Sequence, residues 1–374
     1  MEKMKLKYLG LLLIGLFLTS CGDDDDDDDG PELETTRSEI QLNTANNIII
    51  PAYAQFNISA ADLNDAVNSF TQAPGQDNLT AARVALQAAW LDWQDAAIFQ
   101  FGPAEEMTLR SLFNTYPTDD DKIASNISSG SYTLESIDNR DAGGFPAIDF
   151  LLNGAADGDE AIIDLFIVDA ESTNRIQYLN DLADLISNNA QEVLTRWEAS
   201  GSDYLADFTS SEASGTDVGS SLGLIVNALN FHFERFTRDG KIAIPAGVRS
   251  AGIPRPFATE ARYGEYSVEL LIRSLSAFRR LYLGQGLNGQ EGTGLSDYLV
   301  ALGEDELSAD ILAQLDVVIN DSQQLTDPLA ELIDTNNDQL LDLFTEMQTL
   351  VILLKTDMPS IMGVSITFQD NDGD

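Results

Sequence analysis

The sequence predicts an all-α fold of long helices packed as bundles. Three observations predict it. Apolar residues recur at helical spacing through most of the 374 residues, strand-like alternation is confined to Val364, Ile366 and Phe368, and no strand–helix–strand rhythm appears. An apolar fraction of 44% is enough to fill a core, and the length suits two domains or one large one.

The first twenty residues read as targeting sequence. Lys3, Lys5 and Lys7 precede an apolar run from Tyr8 to Leu18. That run is too short to span a bilayer, which takes about 20 residues, and it fits a signal h-region. Leu18-Thr19-Ser20-Cys21 follows, small residues before the only cysteine in the chain. The pattern resembles a bacterial lipobox, in which Cys21 becomes the lipidated N-terminus and acyl chains anchor the protein to a membrane. Asp23 to Asp29 are consecutive aspartates that repel one another and keep residues 21–34 extended as a tether. An acidic run just after a lipidated cysteine is also similar to the signal that sends some Gram-negative lipoproteins to the outer face of the outer membrane.

Helical stripes then follow in order. The spacing predicts helices over 78–101 (capped by Asn78 or Thr80), 172–197 (capped by Ser172 or Thr173), 220–237, 259–283 and 308–322 (capped by Ser308). Asp327-Pro328 reads as an N-cap with proline at the first helical position, and a last helix covers 336–356 ahead of Pro359. Loops are expected at 71–77, 102–106, 114–122, 128–146, 153–159, 200–218 and 239–258. The Ser- and Gly-rich stretch 200–218 marks the expected boundary between a first bundle, 35–205, and a second bundle with a polar tail, 206–374.

Composition excludes several functions. With 62 acidic against 20 basic residues, the net charge of −42 repels nucleic-acid phosphate. One cysteine allows no internal disulfide or Cys-rich zinc site, and one histidine, His232, cannot support an HExxH protease. Asp334–Asp338 and Asp370–Asp374 look like fragments of calcium loops, but each lacks later ligands. They read better as a solvated helix start and a polar tail. Trp90, Trp93 and Trp197 lie on helical stripes and read as core.

Three stretches together resemble the imelysin-like family, which includes imelysin peptidases and bacterial iron-regulated surface or periplasmic proteins. The first is AWLDWQDAAIFQFGP from Ala89 to Pro103. The second is Gly144-Phe145-Pro146-Ala147-Ile148-Asp149-Phe150-Leu151-Leu152, which aligns with the family's GxHxxE motif. The third is Arg238 to Pro245 with Glu260 to Ser267 and Leu281 to Gly284. The resemblance covers roughly residues 35–370. It implies two packed helical bundles with a functional site between them near GxHxxE.

The departures bear on function. Pro146 stands where the family has histidine, and Asp149 where it has glutamate. Histidine and a carboxylate three residues apart share a helix face and can grip a metal or move a proton; proline offers neither donor nor ligand. Pro146 reads as a structural first residue, N1, of a helix that begins after Gly143-Gly144. Asp149 is either an oxygen ligand or a first-turn acid facing the helix dipole. His232, Glu260 and Glu265 are the next candidates for a ligand or metal site, and Arg238 and Lys241 either line the same cleft or pair with acids. The resulting expectation is a lipoprotein on the cell exterior that binds or presents a ligand without catalysis. The resemblance supplies the context: iron or another divalent cation, haem or a peptide as ligand, and an outer-membrane transporter as partner. An imelysin-type peptidase and a scaffold subunit of an outer-membrane complex are the alternatives.

Overall fold

The computed structural model describes residues 31–198 and 204–368. Cys21, the aspartate run, the expected signal segment and the acidic end of the chain lie outside the described residues. Among those described, every regular element is helical, and no helix is long and apolar enough to cross a membrane.

The first bundle is built around the helix Ile50–Gln72, which packs between Gln76–Ala96 and Ser172–Trp197. It buries Tyr53, Phe56, Leu63, Val67 and Phe70 along one stripe. The motif segments meet inside it. Trp90 stacks on Phe145 at 5.3 Å, and Phe56 touches Trp93, Phe113 and Phe145 at 5.3–6.3 Å between ring centroids. Such pairs add about 0.5–1.5 kcal/mol each beyond burial, so the tryptophan helix and the Gly-Phe-Pro segment are locked together. Gly144 is obligatory here. It sits at φ +66°, and a Cβ would lie 2.2 Å from the Phe113 carbonyl oxygen.

In the second half, Asp338–Ile352 packs on His232–Ala243 and on Asp305–Ser322. The helix Ser267–Leu283 packs both on Asp305–Ser322 and back on Gln76–Ala96. It ties the halves together through Asp95, which is bonded by Arg273 at 2.8 Å and by Arg280. The helix Pro31–Asn43 leaves the first half and lies on Ser221–Phe231 and Leu295–Ala301, with Arg37 bonding Ser214 O and the Tyr298 hydroxyl. Buried apolar residues from Ile40 to Val364 therefore form one contiguous core.

Several local expectations are corrected. Residues 31–34, expected as the end of the extended tether, instead open a helix: residues 31–72 are continuously helical, through Pro31–Asn43, a π-helical stretch Thr44–Ile49, and Ile50–Gln72. The wide turns ahead of Pro51 relieve the clash its ring would make with the preceding turn. Pro359 is tolerated in the same way after the π-helical Leu353–Asp357, so the last helix runs on to Ile361 instead of stopping short of the proline. The expected caps Asn78 and Ser308 lie inside their helices, which begin at Gln76 and Asp305; Asn78 bonds back to Ser69 O and Ala73 O. The helix Gln76–Ala96 ends five residues early, and the expected loops 102–106 and 200–218 hold the short helices Pro103–Glu106 and Tyr204–Phe208.

The expected helix over 259–283 starts only at Ser267, because Ala261 and Glu265 have positive φ and break the preceding turn. Its first free N–H, on Val268, is capped from a distance by both carboxylate oxygens of Asp327, at 3.1 and 3.0 Å. The N-cap position of the following helix is Pro328, not Asp327 as expected, although the Asp327 carboxylate also accepts from the backbone of Leu329.

Candidate functional site

Two π-helical segments adjoin or carry several of the sequence-selected residues. One, Phe150–Gly154, continues directly from the motif helix Gly144–Asp149; the other is the twelve-residue stretch His232–Ala243. π-Helices make up well under 1% of residues in globular proteins and concentrate at functional sites.

The motif corner is closed. Pro146 is buried in the first turn, but as the third residue of a helix that begins at Gly144, not at the first position expected. Asp149 is 1% exposed; its carboxylate accepts from Tyr263 N at 3.0 Å and Asn153 Nδ2 at 2.9 Å. Burial pushes its pKa up to about 7 despite those bonds. Gly264 is fixed beside it, since a Cβ there would meet Asp149 Oδ1 at 2.8 Å. The space against Pro146, Asp149, Tyr116 and Tyr263 is about 10 Å³, room for one water at most. No substrate fits there.

Glu260, also 1% exposed, sits behind this corner. It accepts from Asn114 Nδ2 at 2.6 Å and Gln94 Nε2 at 3.2 Å, and it forms a buried ion pair with Lys241. Burial draws the Lys241 pKa down, and Glu260 opposes that. Tyr266 lies in the field of both Asp149 and Glu260, and burial together with these charges holds its phenol protonated. His232 lies further along the same seam, 3% exposed. Its Nε2 is 3.2 Å from Ser274 Oγ and its Nδ1 is 3.3 Å from an Arg110 nitrogen. Burial, with Arg110 and Lys241 nearby, drives its pKa well below the ordinary value, so the imidazole is neutral. Glu265 is exposed in a left-handed turn and stands apart. Asp149, Glu260 and His232 thus share one buried polar seam, but among the described residues no three His, Cys, Asp or Glu side chains gather closely enough to hold a metal ion. Arg238 and Lys241 both pair with acids: fully buried Arg238 bonds Asp239 at 2.9 Å and reaches Glu234 at 3.6 Å.

The open space lies on the other side of Tyr116. A cavity of about 600 Å³ opens between the 100–116 segment of the first half and residues 224–244 of the second, with Thr367 and Phe368 completing its wall. That size is typical of small-molecule sites. Tyr116 lines both this cavity and the closed corner. The charge-bearing wall residues are Arg110, Arg235 and Glu105. Arg110 lies 4.0 Å from the Phe236 ring centroid and donates to Ala97 O at 2.8 Å; burial lowers its pKa to about 9, still charged at neutral pH. The sequence reading missed Arg110, Arg235, Gln100 and Asn114. For Arg235 the available signal was the run Phe231-His232-Phe233-Glu234-Arg235-Phe236, which sets one cation among aromatic rings.

Residues 49–353 match the family model described as imelysin, peptidase M75. A 155-residue stretch, 41% of this chain, is 27% identical to iron-regulated protein A of Synechococcus elongatus and spans 38% of that relative's length. The fold is similar to the crystal structure of an iron-regulated protein A precursor from Parabacteroides distasonis, with a TM-score of 0.67 at 16% identity over 87% of this chain and 95% of that one. It is also similar to an imelysin-like protein from Psychrobacter arcticum, with a TM-score of 0.62 at 19% identity over 90% and 98% of the two chains. The chain belongs to the imelysin family.

Proposed function

We propose that this imelysin-family chain is a lipid-anchored protein of the outer cell surface that holds a small ligand in the 600 Å³ cavity, in the service of iron acquisition and without catalysis. One contrast carries the reading: the motif corner is filled by Pro146 and closed to about 10 Å³, while the large cavity beside it is open and lined with binding groups. The relatives' names, iron-regulated protein A, support the iron context. The lipobox-like Leu18–Cys21 and the aspartate run support the anchor. Against peptidase chemistry, Pro146 supplies no acid, base or ligand, and neutral His232 is packed between Ser274 and Arg110.

The donor set does not fit bare iron. Glu105 is the single carboxylate of the cavity wall, and hard cations take six or more oxygens. Iron is therefore cargo that enters inside an organic ligand.

The test is a melting series of the full chain with ferric chloride, ferric citrate and haemin, beside Ala228→Trp, which places an indole in the cavity. Ligand at a hundred times its Kd adds about 2.7 kcal/mol, a rise of about 2 °C or more for a chain of this size. The reading expects such a rise from an organic iron complex, lost in Ala228→Trp. It fails if no complex stabilises the protein, if the variant responds equally, or if the pure protein cleaves a peptide library.

A further inference from the structure

We propose that the cavity selects an organic anion with a flat apolar body, its negative charge taken by Arg235. This inference rests on the cavity being the ligand site and goes on to name the class of ligand.

Three observations point to it. First, no hydrogen bond or ion pair engages the Arg235 side chain among the described residues, although the chain carries 62 acids against 20 bases. A guanidinium left unmatched amid such an acidic excess, on a cavity wall, is a docking point for an anion that arrives from outside.

Second, three buried polar atoms of this wall have no partner: Gln100 Nε2, Arg110 Nε and Asn114 Oδ1. The neighbouring network fixes which atoms these are. Gln100 Oε1 already accepts from Arg110 N at 3.0 Å, and Asn114 Nδ2 already donates to Glu260, so neither amide can turn round without breaking a bond. An unmatched buried polar group costs about 1–3 kcal/mol. Two donors against one acceptor, they lie beneath the surface that a ligand would touch and leave the polar layer behind the wall short of acceptors.

Third, the apolar part of the wall is aromatic. Phe231 sits 5.6 Å from Phe236 and 5.0 Å from Phe368, both edge to face, while Arg110 lies 4.0 Å over Phe236 and Lys355 4.9 Å over Phe368, so the wall pairs apolar ring surface with cations. A small inorganic anion would leave these rings wet, and a cation would meet Arg110 and Arg235.

The probes are 8-anilinonaphthalene-1-sulfonate, a flat aromatic anion, and N-phenyl-1-naphthylamine, its uncharged counterpart. Both are titrated by fluorescence against the full chain, Arg235→Gln, Arg235→Lys and Ala228→Trp. The expected result is saturable one-to-one binding of the sulfonate, weakened about tenfold or more by Arg235→Gln and largely kept by Arg235→Lys, with the uncharged dye indifferent to both changes. Ala228→Trp is expected to lose both dyes. If both charge variants leave the sulfonate affinity unchanged, or Arg235→Gln weakens both dyes alike, while Ala228→Trp still excludes them, the anion assignment is overturned and the cavity reading stands. If Ala228→Trp retains both dyes, the cavity reading itself falls.

Discussion

At the residue scale, the closed corner and the seam behind it make stability depend on buried charge. The Asp149 pKa rises from its ordinary 3.8 to about 7 on folding because the carboxyl is buried. Between about pH 4 and 7 the unfolded chain ionises this group and the folded chain does not, so its contribution is whole at low pH and is lost as pH rises towards 7. At about 1.4 kcal/mol per pKa unit the loss is at most about 4 kcal/mol. Urea unfolding across pH 4–8 should show Asp149→Asn losing this slope; equal slopes in both proteins would contradict the burial account. The Lys241–Glu260 pair behaves differently. Lys241→Met strands a buried carboxylate and should cost about 3–5 kcal/mol, while Lys241→Met with Glu260→Gln should recover most of it. A double variant as weak as the single would show that the pair is not the source. Glu260 stood out in the sequence, as a candidate for a ligand or metal site, because it sits in a stretch resembling a family segment. Its partner Lys241 was open between two readings, since nineteen positions of chain separate them and only folding brings them together.

At the element scale, the helix Ser172–Trp197 matched its predicted limits because its stripe is uninterrupted and carries neither Pro nor Gly. The long N-terminal helix was not legible. Asn46, Asn47 and Pro51 interrupt its pattern, and the π turn that accommodates the proline leaves no mark on periodicity. The same holds for His232–Ala243, whose wider winding puts His232 and Thr237, five apart, on the same Ser274 hydroxyl at 3.2 Å each. The C-terminal segment was expected as an extended piece. It runs without regular structure from Val364 to Phe368, with Asn227 bonding Ser365 O at 3.0 Å and accepting from Thr367 N at 2.8 Å. Phe368 closes the cavity wall between Phe231 and Lys355. Removing residues 366–374 should speed dye release about tenfold, with little change in melting temperature, because tuning of affinity falls mostly on the off-rate. Stopped-flow release as slow as in the full chain would contradict a closing role.

At the scale of the whole molecule, the all-helical class followed from periodicity, and the family from three motif stretches. The site did not follow. Sequence drew attention to Asp149 and Pro146, whereas the open space lies beyond Tyr116 and is assembled from segments more than a hundred residues apart. A net charge of −42 repels itself across a folded body, and salt screens that repulsion over a Debye length of about 10 Å at 0.1 M. The melting temperature should therefore rise by a few degrees, roughly, between 10 and 150 mM NaCl; a fall would mean that attractive surface pairs outweigh the repulsion. The central claim is that ligand is held between the two halves. It is tested most directly by placing one thiol there, Ala228→Cys in a Cys21→Ser background, and timing maleimide labelling with and without the iron complex that raises the melting temperature. The account predicts labelling slowed about tenfold or more at saturating ligand; an unchanged rate would place the ligand elsewhere.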